Sequence, residues 1–146
     1  MRHPSLVPVV TLRFRPLPEH VRTARLVAVA VARRAGAGED DLEEIRLAVG
    51  EICARAVRRC AHDGVGAPVV VQMDDSEQGL RIVVMDEAGP AKLEDEDVAL
   101  ALVEGLADAV DVTDGPGGAG GNLRAQWTWR SATSHGSVYG PRGDLP

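Results

Sequence analysis

Between residues 42 and 60 an apolar side chain returns every three or four positions, at Leu42, Ile45, Val49, Ile52, Ala56 and Cys60. That period belongs to an amphipathic α-helix with one face laid on a core. The acids Glu39, Asp40, Asp41, Glu43 and Glu44 complement the positive end of such a helix, and Gly64, Gly66 and Pro68 stop the pattern. The rest of the chain has to supply the surface on which this stripe rests.

Residues 7–15 alternate apolar and polar, with Arg13 and Arg15 on one face, as a half-buried strand does. Pro16 and Pro18 break it. A first helix then spans 18–35, with Val21, Ala24, Ala28, Val31 and Ala35 at helical spacing. Its middle is apolar nearly all round, so either the domain or a partner must cover it. Runs at 68–73 and 80–85, separated by polar residues 74–79, read as a hairpin with a loop of a few residues, followed by a turn at 86–90. The acidic run 94–97 opens a third helix, 109–113 form a short strand, 115–121 a glycine-rich turn and 123–129 a last strand. On that strand Trp127 and Trp129 share a face and suit a core or an interface. The order predicts an α+β, two-layer sandwich: a mixed, mainly antiparallel sheet covered on one face by about three helices. Residues 7–130 make one domain, 1–6 a flexible start and 131–146 a disordered tail.

Charge excludes several functions. Of a net charge of −6, residues 1–35 carry +6, 36–114 carry −14 and the remainder +2. The acidic middle argues against nucleic acid, whose phosphates need clustered Lys and Arg. The longest apolar run, at 26–32, is about a third of the ~20 residues a membrane span requires, and no cleavable signal precedes it, so the expected location is the cytoplasm, away from membranes. Cys53 and Cys60 lie seven positions apart on one helix, about 10.5 Å, too far for a disulfide, and no Cys/His spacing suggests a metal cage.

Chemistry centres on Glu51 and Arg55, one turn apart on the second helix. Acid first at i and i+4 is the favoured helical ion pair, worth about 0.2–0.5 kcal/mol. The segments LRFRPLPEHVRTARLVAVAVARRAG, EEIRLAVGEICARAV, VVMDEAGP and ALALVEGLADAVDV nonetheless resemble the small histidine-kinase-like ATPases that act as anti-sigma-factor serine kinases, the RsbW kind, over roughly residues 9–130. The resemblance implies the histidine-kinase-like ATPase fold, ATP as cofactor, a homodimer, and a sigma factor or a STAS-domain anti-sigma antagonist as partner. It casts Glu51 as the general base of serine phosphorylation. It also places a magnesium-binding Asn at the position of Arg55, whose guanidinium has five donors and no acceptor, so magnesium is not expected here.

The family's Asp-x-Gly-x-Gly motif, whose Asp holds the adenine amino group, is matched at Asp86 alone. The chain continues Glu87, Ala88, Gly89, Pro90, and the proline removes both backbone freedom and an N–H. A glycine-rich phosphate lid is replaced by AKLEDEDVALA, whose acids would repel a triphosphate. Arg55, Asp86 and Gly89 remain the candidate nucleotide contacts, and Arg55 could supply in cis the charge that a metal normally brings. Two functions follow as expectations: an anti-sigma-type regulator acting by protein binding with a degenerate nucleotide site, or an ATP-dependent serine kinase acting on a STAS-domain antagonist.

Overall fold

The structure is a computed structural model and describes residues 9–76, 78–89, 96–115 and 120–129. Strand β1 (Val9–Phe14) leads through a 3-10 turn (Pro18–His20) into helix α1 (Val21–Arg34) and then α2 (Glu39–Asp63). Strands β2 (Val69–Ser76) and β3 (Gly79–Asp86) follow, then α3 (Glu96–Leu106), β4 (Ala109–Asp114) and β5 (Gly121–Thr128). The sheet order is β1-β2-β3-β5-β4, and every ladder among the described residues is antiparallel. This is the α+β sandwich read from the sequence, with the parallel component of the expected mixed sheet missing from the described residues.

Period-two burial gives the sheet one covered face. Val69, Val71, Met73, Leu80, Ile82, Val84, Leu123, Ala125 and Trp127 are buried beneath the helices, while Gln72, Arg81, Arg124 and Gln126 on the alternate positions are exposed. The α2 stripe meets this face: Ile45, Val49, Ile52, Ala56 and Cys60 are each at most 1% exposed. Burying each of the larger aliphatic chains contributes about 1.5–3 kcal/mol. At its end Gly64 adopts the left-handed conformation (φ 67°) and the Val65 N–H returns to the Cys60 carbonyl at 2.8 Å, closing the helix where the glycine signal placed its end.

The hairpin differs from expectation. Residues 74–76 and 79 are strand, paired as Asp74↔Arg81, Asp75↔Leu80 and Ser76↔Gly79. Their polarity is explained by partners: Arg81 donates to Asp74 at 2.8 Å, and Arg34 of α1 to Asp75 at 3.1 Å. Gly79 is required by contact with β5, because a Cβ there would lie 2.1 Å from the Trp127 carbonyl oxygen. Trp127 itself is buried at 1% and donates to the Leu106 carbonyl, and Trp129 donates to that of Ala35, so both rings serve the core as expected.

The apolar middle of α1 is covered on one side only. Ala24, Ala28, Val31 and Ala32 are buried, whereas Leu26 is 61% exposed. No described helix is long and apolar enough to cross a membrane. The expected flexible start, the tail beyond residue 130 and residues 91–95 of the acidic stretch lie outside the described residues.

Candidate functional site

Two sets of side chains emerge from α2. On its outer side Glu51 borders a groove of about 640 Å3 between α2 and the start of α1, with Arg22, Arg25 and Arg58 on its walls and Leu47 and Val57 as apolar lining. Gly50 makes the groove's α2 wall thin: the stem of Arg25 crosses it so closely that a Cβ would sit 2.9 Å from the Arg25 Cδ. A glycine in mid-helix costs about 1 kcal/mol relative to alanine, so a packing reason of this kind is expected. Glu51 is half-buried and Arg55 is 7% exposed, and no Glu51–Arg55 ion pair occurs among the described residues.

The second set lies toward the end of the helix. Asp86, the last residue of β3, has a side chain only 2% exposed, and Arg59 of α2 reaches it with Nε 3.3 Å from Oδ2. Arg59 Nη2 donates to the Gly89 carbonyl at 2.9 Å, and the Ala88 N–H donates to Asp86 Oδ1 at 3.0 Å. Gly89 is fixed from its other side, its N–H donating to Asp63 Oδ2 at 2.5 Å. Strand β5 closes over the pair. A Cβ on Gly121 would lie 3.2 Å from Arg59 Nη2, and one on Gly120, whose φ is +76°, would lie 2.6 Å from the Asp86 carbonyl oxygen.

Electrostatics follow from this packing. The Asp63 carboxyl is held below the usual carboxylate range, first by its hydrogen bond with His62 and then by the Gly89 N–H. Burial pushes the Cys60 thiol up, and the Asp86 charge adds to the effect. Cys53 is pushed up to about 12 by burial alone, so both cysteines are neutral, unreactive core residues.

Of the residues singled out in the sequence, Asp86 and Gly89 come together through Arg59, while Glu51 belongs to the groove. Arg59, Asp63 and Gly121 were missed. A signal existed for Arg59: it lies seven positions after Ile52 and three after Ala56, on the buried stripe, and a charge on such a face requires a counterion. Chemically, position 55 offers no lone pair for a cation. Position 86 offers a carboxylate already bonded and shut from solvent.

Comparisons with known proteins agree with this frame. The family described as histidine kinase-like ATPase domain matches residues 14–127. A serine-protein kinase RsbW of Bacillus velezensis is 32% identical over 81 residues, covering 56% of this chain and 51% of that protein. That of Bacillus subtilis is 33% identical over 70 residues, covering 48% and 44%, and that of Oceanobacillus iheyensis 27% over 116 residues, covering 66% and 73%. The chain thus spans about half the length of most of the curated relatives it matches. A crystal structure of the RsbU and RsbW domains of a Mycobacterium tuberculosis protein superposes with a TM-score of 0.65 at 18% identity, over 85% of this chain and 33% of that one. With the helix pair, the antiparallel sheet and the sequence match over residues 14–127 in accord, the chain belongs to the histidine kinase-like ATPase domain family.

Proposed function

We propose that this chain is an anti-sigma-type regulatory protein that works by binding a sigma factor or a STAS-domain anti-sigma antagonist, with its nucleotide site degenerate. The observation that carries the reading is Asp86: its carboxylate is 2% exposed and bonded to Arg59 and the Ala88 N–H, so a base cannot reach it without displacing a buried ion pair. Arg55 compounds this, since phosphoryl transfer depends on charge neutralisation that an arginine gives without holding a metal. On this reading ATP is not turned over and magnesium has no seat at position 55.

What remains usable is surface. The outer edge of β1 carries no partner strand among the described residues, Leu26 projects from α1, and the groove beside Glu51 combines three arginines with apolar lining. Mixed apolar and cationic character of this sort suits an acidic, amphipathic segment of a protein partner. Residues 7–130 act as the domain, paired as a homodimer in the cytoplasm.

The test is capture of purified sigma factors and STAS-domain proteins with and without ATP, alongside phosphotransfer from labelled ATP. A complex that forms without nucleotide, loses about tenfold affinity in Leu26→Asp, and shows no serine phosphorylation is expected. Phosphotransfer that Glu51→Ala abolishes would instead establish the kinase. Absence of any sigma or STAS complex would end the regulatory reading.

A further inference from the structure

The helix layer follows the order of the sheet beneath it: α1 packs on β2, α2 on β3 and α3 on β4, with α2 touching both neighbours. Its two flanks carry opposite charge. Along α1 the exposed residues Arg22, Leu26, Ala30 and Arg33 recur at helical spacing, so one stripe sets two apolar side chains between two arginines. Among the described residues no carboxylate pairs with Arg22, Arg25 or Arg33. Along α3 a second exposed stripe runs through Val98, Leu102 and Gly105, with Val98 72% and Leu102 47% exposed. Acids border it, Glu104 within the helix and Asp108 just beyond its end, both exposed. The negative field there reaches α2, where the Glu44 carboxyl is held above its usual range by desolvation first and then by Asp41, Asp108 and Asp40. An exposed apolar stripe rimmed by charge marks an interaction surface, and this chain carries two of opposite sign.

The stripes also match in spacing and level. From Leu26 through Ala30 to Arg33 the steps are four and three, as they are from Val98 through Leu102 to Gly105. The short 35–38 connection sets α1 antiparallel to α2, and the Arg25 stem crosses Gly50, so Arg33, two turns further on, lies beside the first turns of α2, the level at which Asp108 acts on Glu44. We propose that a second copy of this chain covers these stripes, two helix layers packing face to face about a two-fold axis parallel to α2, which lays α1 of each protomer on α3 of the other. That axis exchanges the flanks and preserves the helix direction, so Leu26 meets the partner's Val98, Ala30 the partner's Leu102 and Arg33 the partner's Glu104, and every contact occurs twice. An in-plane axis perpendicular to α2 would set arginine against arginine and acid against acid. The inference rests on the homodimer of the function proposed above and names its interface. Because Leu26 lies inside that interface, a protein partner that uses this side chain competes with the second copy.

Sedimentation equilibrium of the full chain over a concentration series should show a monomer–dimer equilibrium that weakens as sodium chloride rises, because charges at the rim of the contact are screened. Leu102→Asp should weaken it at least about tenfold. Arg33→Glu and Glu104→Arg should each weaken it, since each variant sets like charges together twice. An equimolar mixture of these two variants should pair again, because every contact then joins opposite charges. All three positions are exposed, and the salt series on the unaltered chain applies whether or not a variant folds. A dimer indifferent to salt, to Leu102→Asp and to both reversals would overturn this interface while leaving the pairing itself. A mixture that stays monomeric would overturn the exchange of flanks, and an unaltered chain that stays monomeric would overturn pairing and interface together. Failure to capture a sigma factor or STAS-domain protein is read separately and leaves the sedimentation result standing.

Discussion

The middle and the C-terminal end of α2 treat charge in opposite ways. Around Glu51 the charged groups of Arg22, Arg25 and Arg58 border an open groove, whereas Arg59 and Asp86 are sealed at 6% and 2% side-chain exposure. In the groove, water screens the charges and leaves them available to a visitor. At the sealed end, desolvation has been met by commitment of each group to a fixed partner, and the pair has become part of the core. Charge alone is thus a poor guide to use: the Asp86 carboxylate is already engaged by Arg59 and the Ala88 N–H.

The largest test of this contrast is Asp86→Ala, which leaves a buried guanidinium without its counterion. Urea unfolding should show a loss of about 3–5 kcal/mol, and Arg59→Met combined with Asp86→Leu should recover most of it. A loss below about 1 kcal/mol, the range of exposed pairs, would mean that the groove and the sealed end do not differ.

Glycine-to-alanine exchanges sharpen the comparison at smaller scale. Gly120→Ala combines a positive φ with a Cβ 2.6 Å from the Asp86 carbonyl oxygen, so a loss of about 1–3 kcal/mol is expected. Gly50→Ala meets only the flexible Arg25 stem, and the helix propensity of alanine should leave stability unchanged or raised by up to about 1 kcal/mol. Thermal melts of the two variants decide; destabilisation of similar size at both positions would contradict an open groove.

The smallest effect concerns acid. The folded Asp63 carboxyl lies below its ordinary range, so its contribution is present above the unfolded carboxyl pKa and is lost as pH falls through the folded value. Asp63→Asn should flatten that acid limb of the stability curve, with a small loss of stability at neutral pH and convergence with the wild type in acid. An acid limb identical to that of the wild type would remove Asp63 from the account of the sealed end.

What the sequence disclosed depended on how local the signal was. The α2 stripe, the glycine at its end and the alternation of β5 arise from neighbours within a turn or two, and each element stands where its pattern placed it. The polar run at 74–79 misled because its partners, Arg34 and Arg81, lie on other segments, and acids with such partners are at home in a strand. The same limit hid Arg59. Its partner is 27 positions away, and only the fold reveals that a helix-borne cation and a strand-end acid meet. Glu51 was legible as a residue of interest, but the arginines facing its groove come from α1 and, for Arg58, from two turns further along the same face of α2.

The register that joins Phe14 to Val69 has a kinetic consequence. Closing the first strand onto the sheet spans both intervening helices, so this ladder carries the heaviest loop-closure entropy among the described ladders and sits at the sheet's margin. The margin is then the portion most prone to peel off while the remainder holds, and a binding protein that captured the peeled ribbon would draw on the folding equilibrium itself to modulate its grip.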